Sequence, residues 1–94
     1  MIFLKKLFRK EEPHPVELAL ETVREVTTRL KLAADLRLNK QYELALAECN
    51  KVLVLHPTNH LAYQIRALTR HDMDDQDGAI QDWNRFKALR KNLR

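Results

Sequence analysis

The residues of this chain that could do chemistry are a single cysteine, four histidines, a cluster of aspartates and a cationic, Phe/Leu-rich start. Cys49 falls at a helical packing position with no local base, so it reads as a small core residue and not as a nucleophile. His56 and His60 are four apart, but Pro57 between them keeps them off one helical face, which argues against metal ligation. Asp72, Asp74, Asp75 and Asp77 resemble part of a calcium loop, yet the glycine and distal glutamate of such a loop are missing. They read as a solvated turn whose carboxylates cap the next helix and oppose its dipole. No Gly-rich phosphate loop and no close pair of cysteines occurs. We therefore expect no catalytic, cofactor-binding or metal-ligating residue, no cofactor, and a chain that is not an enzyme.

The first ten residues carry a different signal. On a helical wheel Phe3, Leu4, Leu7 and Phe8 share one arc, and Lys5, Lys6, Arg9 and Lys10 share the opposite arc; Ile2 belongs to the same segment. Such a segment suits an in-plane anchor, with Phe and Leu at the headgroup boundary and cations on anionic lipid. It equally suits an arm that docks on protein. Its apolar core is too short for a signal peptide, and no small-residue cleavage site follows. The expected location is cytoplasmic, peripheral at the inner face of a membrane. Residues 1–10 carry +4 and residues 85–94 carry +5, against +4 for the whole chain, so the body between them is acidic. The alternative function is a nucleic-acid-binding module using Arg85, Lys87, Arg90, Lys91 and Arg94. No recognition motif or stacking platform accompanies these cations, and nucleic acid is disfavoured as a partner.

The elements that carry these residues are helices. At 94 residues, 45% hydrophobic and 32% charged, with one glycine, the chain is one small all-α domain. A sandwich, a barrel and a dinucleotide-binding fold are excluded by that composition. No apolar run approaches the roughly 20 residues of a membrane span, and a lone cysteine allows no intramolecular disulfide. Residues 1–10 form an amphipathic segment and residues 11–15 a proline-bearing linker. Residues 16–94 form a helical domain. Its first helix runs from Val16 to about Asn39, roughly 36 Å if unbroken. Further helices are expected over 42–55, about 60–71, and about 77–89 or beyond, with His56-Pro57-Thr58-Asn59 and the aspartates as stops. The last helix has the stripe Ala79, Ile80, Trp83, Phe86, Leu89, Leu93.

A shift of 34 residues pairs Ala33 with Ala67, Ala45 with Ala79, Leu46 with Ile80, and Glu48 with Asp82. It also pairs Lys51 with Arg85, Leu55 with Leu89, Cys49 with Trp83 and Val52 with Phe86. A 34-residue period with two helices per unit resembles the tetratricopeptide repeat family. The repeats would span about 26–59 and 60–94. Leu32 and Ala33 stand at the family's Leu-Gly pair, Leu36 at its first tyrosine, Tyr42 at the opening of the second helix, Ala45 at its small position and Pro57 at its closing proline. In the second repeat Tyr63, Ala67, Ala79 and Trp83 occupy matching places. Arg29 replaces the family's tryptophan, and Arg66 and Arg70 stand where apolar side chains usually pack. No closing proline or capping helix follows the second repeat.

The resemblance implies two helix-turn-helix repeats of antiparallel helices, acting as a scaffold or assembly factor in protein–protein interaction. It implies a groove lined by Thr27, Leu30, Ala34, Arg37 and Leu38 from one helix and Leu61, Gln64, Ile65, Leu68 and His71 from the next. Leu30, Ala34, Gln64, Ile65 and Leu68 do not suit the carboxylate clamp of some members. An apolar groove suits an amphipathic helix or peptide of a protein partner. The stripe Val16, Leu20, Val23, Thr27 has coiled-coil spacing, and a homodimer through that seam is expected.

Overall fold

A computed structural model of the protein describes residues 15–92. It has four helices, and the described residues contain no strand: α1 (Pro15–Leu38), α2 (Tyr42–Leu55), α3 (His60–Asp72) and α4 (Gln76–Lys91). Each lies within two residues of its expected span, because apolar periodicity and the polar breaks agree on where helices start and stop. The expected segment 1–10, most of the linker, and Leu93 and Arg94 lie outside the described residues.

Successive helices pack in order. α3 and α4 share the largest interface, α1 and α2 the next, α2 and α3 a smaller one, and α1 touches α3 lightly. Val26, Val52 and Ala62, one from each of the first three helices, form a buried cluster that Leu30 and Leu53 cover. Ala33, Ala45, Ala67 and Ala79 are all buried. With no side chain beyond Cβ, they let paired helices approach closely while Val52 and Phe86 fill the space beside them. The first buried residue of α1 is Val26, so residues 15–25 add none to the core.

The two helix-to-helix turns within these pairs are the same structure, 34 residues apart. Gln41 N donates to Leu36 O at 2.8 Å, and Asp75 N to Arg70 O at 2.8 Å. Lys40 N donates to Arg37 O at 2.9 Å, and Asp74 N to His71 O at 3.0 Å. These are the paired bonds of a Schellman cap, which needs a left-handed residue just past the helix end. Lys40 (φ 65°) and Asp74 (φ 66°) supply it. The following residue then starts the next helix. Asp75 accepts from Gly78 N at 3.0 Å, so an aspartate of this turn does cap, whereas Gln41 makes no side-chain cap. Asn59 caps α3 by accepting from Ala62 N at 2.9 Å.

A left-handed conformation costs a non-glycine residue about 1–2 kcal/mol, and glycine gives back part of that through chain entropy. Lys40→Gly is therefore expected to stabilise the protein by roughly 0.5–1 kcal/mol, read as a higher urea midpoint at unchanged slope.

Candidate functional site

The polar chemistry of the described residues is structural. Asp82, its side chain only 4% exposed, sits on α4 facing α3. Arg66 donates to it twice, Nε to Oδ2 at 2.9 Å and Nη2 to Oδ1 at 2.8 Å. Arg70 Nη1 donates to Oδ2 at 2.9 Å. Arg66 also reaches across to α2, where Nη1 donates to Asn50 Oδ1 at 2.8 Å. Hydrogen bonding to Asp82 is the main reason that the Arg66 guanidinium is held above its ordinary pKa. The two arginines that stand in place of apolar residues thus share one buried carboxylate. Leaving such a charge without its partner costs about 3–5 kcal/mol.

Glu48 holds the matching position on α2 and takes Arg29 Nη1 at 2.9 Å and Lys51 Nζ at 3.1 Å. Burial pushes its carboxyl up, but the hydrogen bonds from Arg29 and then Lys51 outweigh burial and leave it below its ordinary 4.5. Cys49 is fully buried, and burial pushes its thiol up to about 12. That suppresses the thiolate, so the side chain acts as a core filler. His60 stacks on Phe86 with ring centroids 5.9 Å apart. Among the described residues no three His, Cys, Asp or Glu side chains gather to hold a metal. Asp72 is engaged by Arg37 Nε at 2.8 Å, and the carboxylate of Asp75 lies 3.8 Å from Arg70 Nε.

What remains as candidate binding surface is apolar and lies on α1, α3 and α4. Arg37 and Asp72 tie the C-terminal ends of α1 and α3 together, the two helices that carry the expected groove residues. Leu38 and Leu61 are exposed there, and Ala34, Gln64 and Ile65 are half-buried. Thr27 is exposed. Leu30 is partly drawn into the core cluster, and Arg37 is held in its ion pair, so neither is freely presented. Along α1 the seam residues Val16, Leu20, Val23 and Thr27 are all exposed.

Leu68 and His71 also line a second feature, an open hollow of about 300 Å³ between α3 and α4. Ala67, Gln76, Ala79, Ile80 and Trp83 complete it. Ile80 is 58% exposed and Trp83 38% exposed. Both belong to the apolar stripe of the last helix, and their exposure has a specific reason. Their 34-residue counterparts Leu46 and Cys49 lie on α2, which α3 packs against, and nothing among the described residues packs on Ile80 and Trp83 in the same way. The register that pairs these residues was the signal that could have located the hollow.

No helix of the described residues is long and apolar enough to cross a membrane. No protein-family model matches the chain, and comparison with curated proteins and with solved structures gives no match.

Because Glu48 is depressed in the fold, its contribution to stability is complete above the ordinary carboxylate value of 4.5 and is lost as pH falls through the lowered one. The stability gap between the protein and Glu48→Gln should therefore be widest near neutrality and close on acidification, in urea titrations at a series of pH values.

Proposed function

We propose that the protein is a small adaptor or assembly factor of tetratricopeptide type. Two repeats, about 26–59 and 60–94, are preceded by an extension of the first helix. Supporting the repeat reading are the two Schellman turns and the buried pairs Ala33/Ala67, Ala45/Ala79, Glu48/Asp82 and Val52/Phe86, all at a spacing of 34. Its function is to hold an amphipathic helix or peptide of a protein partner against α1 and α3. The observation that carries this is the row of exposed and half-exposed apolar side chains on the two helices, Leu38, Leu61, Ile65 and Leu68, whose spacing the Arg37–Asp72 ion pair maintains. A helix docking there buries apolar anchors at three- and four-residue intervals, which is how grooves of this kind recognise helices.

A second element of the reading is recruitment to an anionic membrane by residues 1–10, which rests on their sequence pattern alone. Self-association through Val16, Leu20, Val23 and Thr27 would bring two such segments together and strengthen a weak anchor by avidity. The nucleic-acid alternative has less support. Arg85 lies over the Tyr63 ring and donates to its hydroxyl, and Arg90 lies over Phe86, so two of the C-terminal cations are already engaged.

Leu38 and Leu61 are exposed, so an aspartate at either position should leave helicity and melting unchanged. Leu38→Asp with Leu61→Asp is expected to abolish cross-linking of the partner to a photoreactive side chain at Gln64 in the cell. Unchanged cross-linking would remove the groove from the function.

A further inference from the structure

The hollow between α3 and α4 is the surface of α2 repeated, without what covers it. In the first pair, Ala45, Leu46, Cys49 and Asn50 lie along α2, and α3 packs on that helix. Cys49 is fully buried, and Asn50 accepts from Arg66 of α3. The residues 34 positions on are Ala79, Ile80, Trp83 and Asn84. Asn50 and Asn84 are identical. Asn84 is exposed, and no hydrogen-bond partner is found for its side chain among the described residues. A surface that binds a helix carrying a cation is thus presented a second time, open.

The start of α4, which brings Gln76 to the hollow, is acidic in sequence. Asp74 and Asp77 there are exposed and have no ion-pair partner among the described residues. An occupant needs a short apolar face and several cations, concentrated at the end that meets the aspartates.

Residues 1–10 of this chain have that pattern. Phe3, Leu4, Leu7 and Phe8 form the apolar arc, and the cations Lys5, Lys6, Arg9 and Lys10 crowd the later part. As a helix, ten residues extend about 15 Å, enough to run beside α4 from Gln76 to Trp83, about 10 Å. With its cationic end at Asp74 and Asp77, the segment would run with the polarity of α3 against α2.

The segment cannot come from the same molecule in that orientation. Pro15 stands about 33 Å up the helix from Arg37, and Arg37 is bonded to Asp72, next to His71 of the hollow. Residues 11–14 span at most about 18 Å between Lys10 and Pro15. We propose that the hollow of Ala79, Ile80, Trp83 and Asn84 receives residues 1–10 of a second copy of this chain, so that two copies exchange arms. This goes beyond the adaptor reading: the hollow shares Leu68 and His71 with the α1–α3 groove but not Leu38, Leu61 or Ile65, so different substitutions test the two. Docking covers the same Phe and Leu side chains that would enter lipid, so a vesicle and a second copy compete for one segment.

Trp83 is the only tryptophan, so its emission reports occupancy directly. The test uses the full chain and two variants, Ile80→Asp in the surface and Phe3→Glu with Leu7→Glu in the arm. We expect the unmodified chain to show twice its 11.1 kDa mass by light scattering, with Trp83 emission moving to the blue as concentration rises. Each variant alone should be monomeric with red-shifted emission and unchanged helicity. Mixed, they should form a dimer again, because one supplies an intact arm and the other an intact surface. A misfolded variant would not be rescued in this way. The proposal is overturned if the arm variant remains a dimer with unchanged emission. It is also overturned if the unmodified chain is monomeric and the arm substitutions abolish only flotation with anionic vesicles, which would assign the segment to lipid.

Discussion

Arg66 is the residue on which the packing of this protein turns. Its guanidinium is shared between Asp82 on α4 and Asn50 on α2, so one side chain on α3 joins the helix before it to the helix after it. The price of burying the Asp82 carboxylate is met by three charge-assisted hydrogen bonds, two from Arg66 and one from Arg70. Tyr63 extends the arrangement, its ring beneath Arg66 and Arg85 and its hydroxyl donating to Pro57 O at 3.2 Å. A helix bundle this small has a modest apolar core. Its buried apolar residues are mostly alanines, one valine-centred cluster and Phe86. The polar clamp fixes the spacing and register of helices that such a core alone would leave free to slide.

The same logic recurs in a weaker form one unit earlier. Glu48 occupies the place of Asp82 and draws in Arg29 from α1 and Lys51 from its own helix, with Arg29 also bound to Glu25 at 3.1 Å. Two buried carboxylates at one period, each facing a cation on the preceding helix, combine with two identical turns to set the angle between paired helices. In stacked helical units generally, each exposes on its far side the surface that a following unit covers. In this chain the far side of α2 is occupied by α3, while the far side of α4 shows Ile80 and Trp83 to solvent.

Much of this was legible in the residues. Helix spans followed from apolar spacing and from Pro57, Asn59 and the aspartates, and the 34-residue register picked out the alanine pairs. Three things were not. The charge pattern of Arg66 and Arg70 looked like an interruption of an apolar helix, because periodicity counts side chains as apolar or polar and cannot see a partner 12 or 16 residues away. The exposure of Ile80 and Trp83 was not legible, because an apolar stripe has the same spacing whether or not it is covered. Whether a stripe is covered depends on a neighbouring element, not on the helix that carries it. Leu30 looked like a groove residue, but it packs against the cluster of Val26, Val52 and Ala62. The first three turns of α1 were expected to be apolar on one side, and the stripe Val16, Leu20, Val23, Thr27 is exposed along its whole length.

The central claim is that α2, α3 and α4 are held as one unit through Arg66. Native-state hydrogen exchange on Arg66→Met tests it most directly. Methionine keeps much of the aliphatic bulk and removes every guanidinium contact. We expect the amides of α2 and α4 to lose protection together and by similar factors, with α1 affected less. Loss confined to α4, with α2 exchanging as before, would contradict the claim and reduce Arg66 to a partner of Asp82 alone.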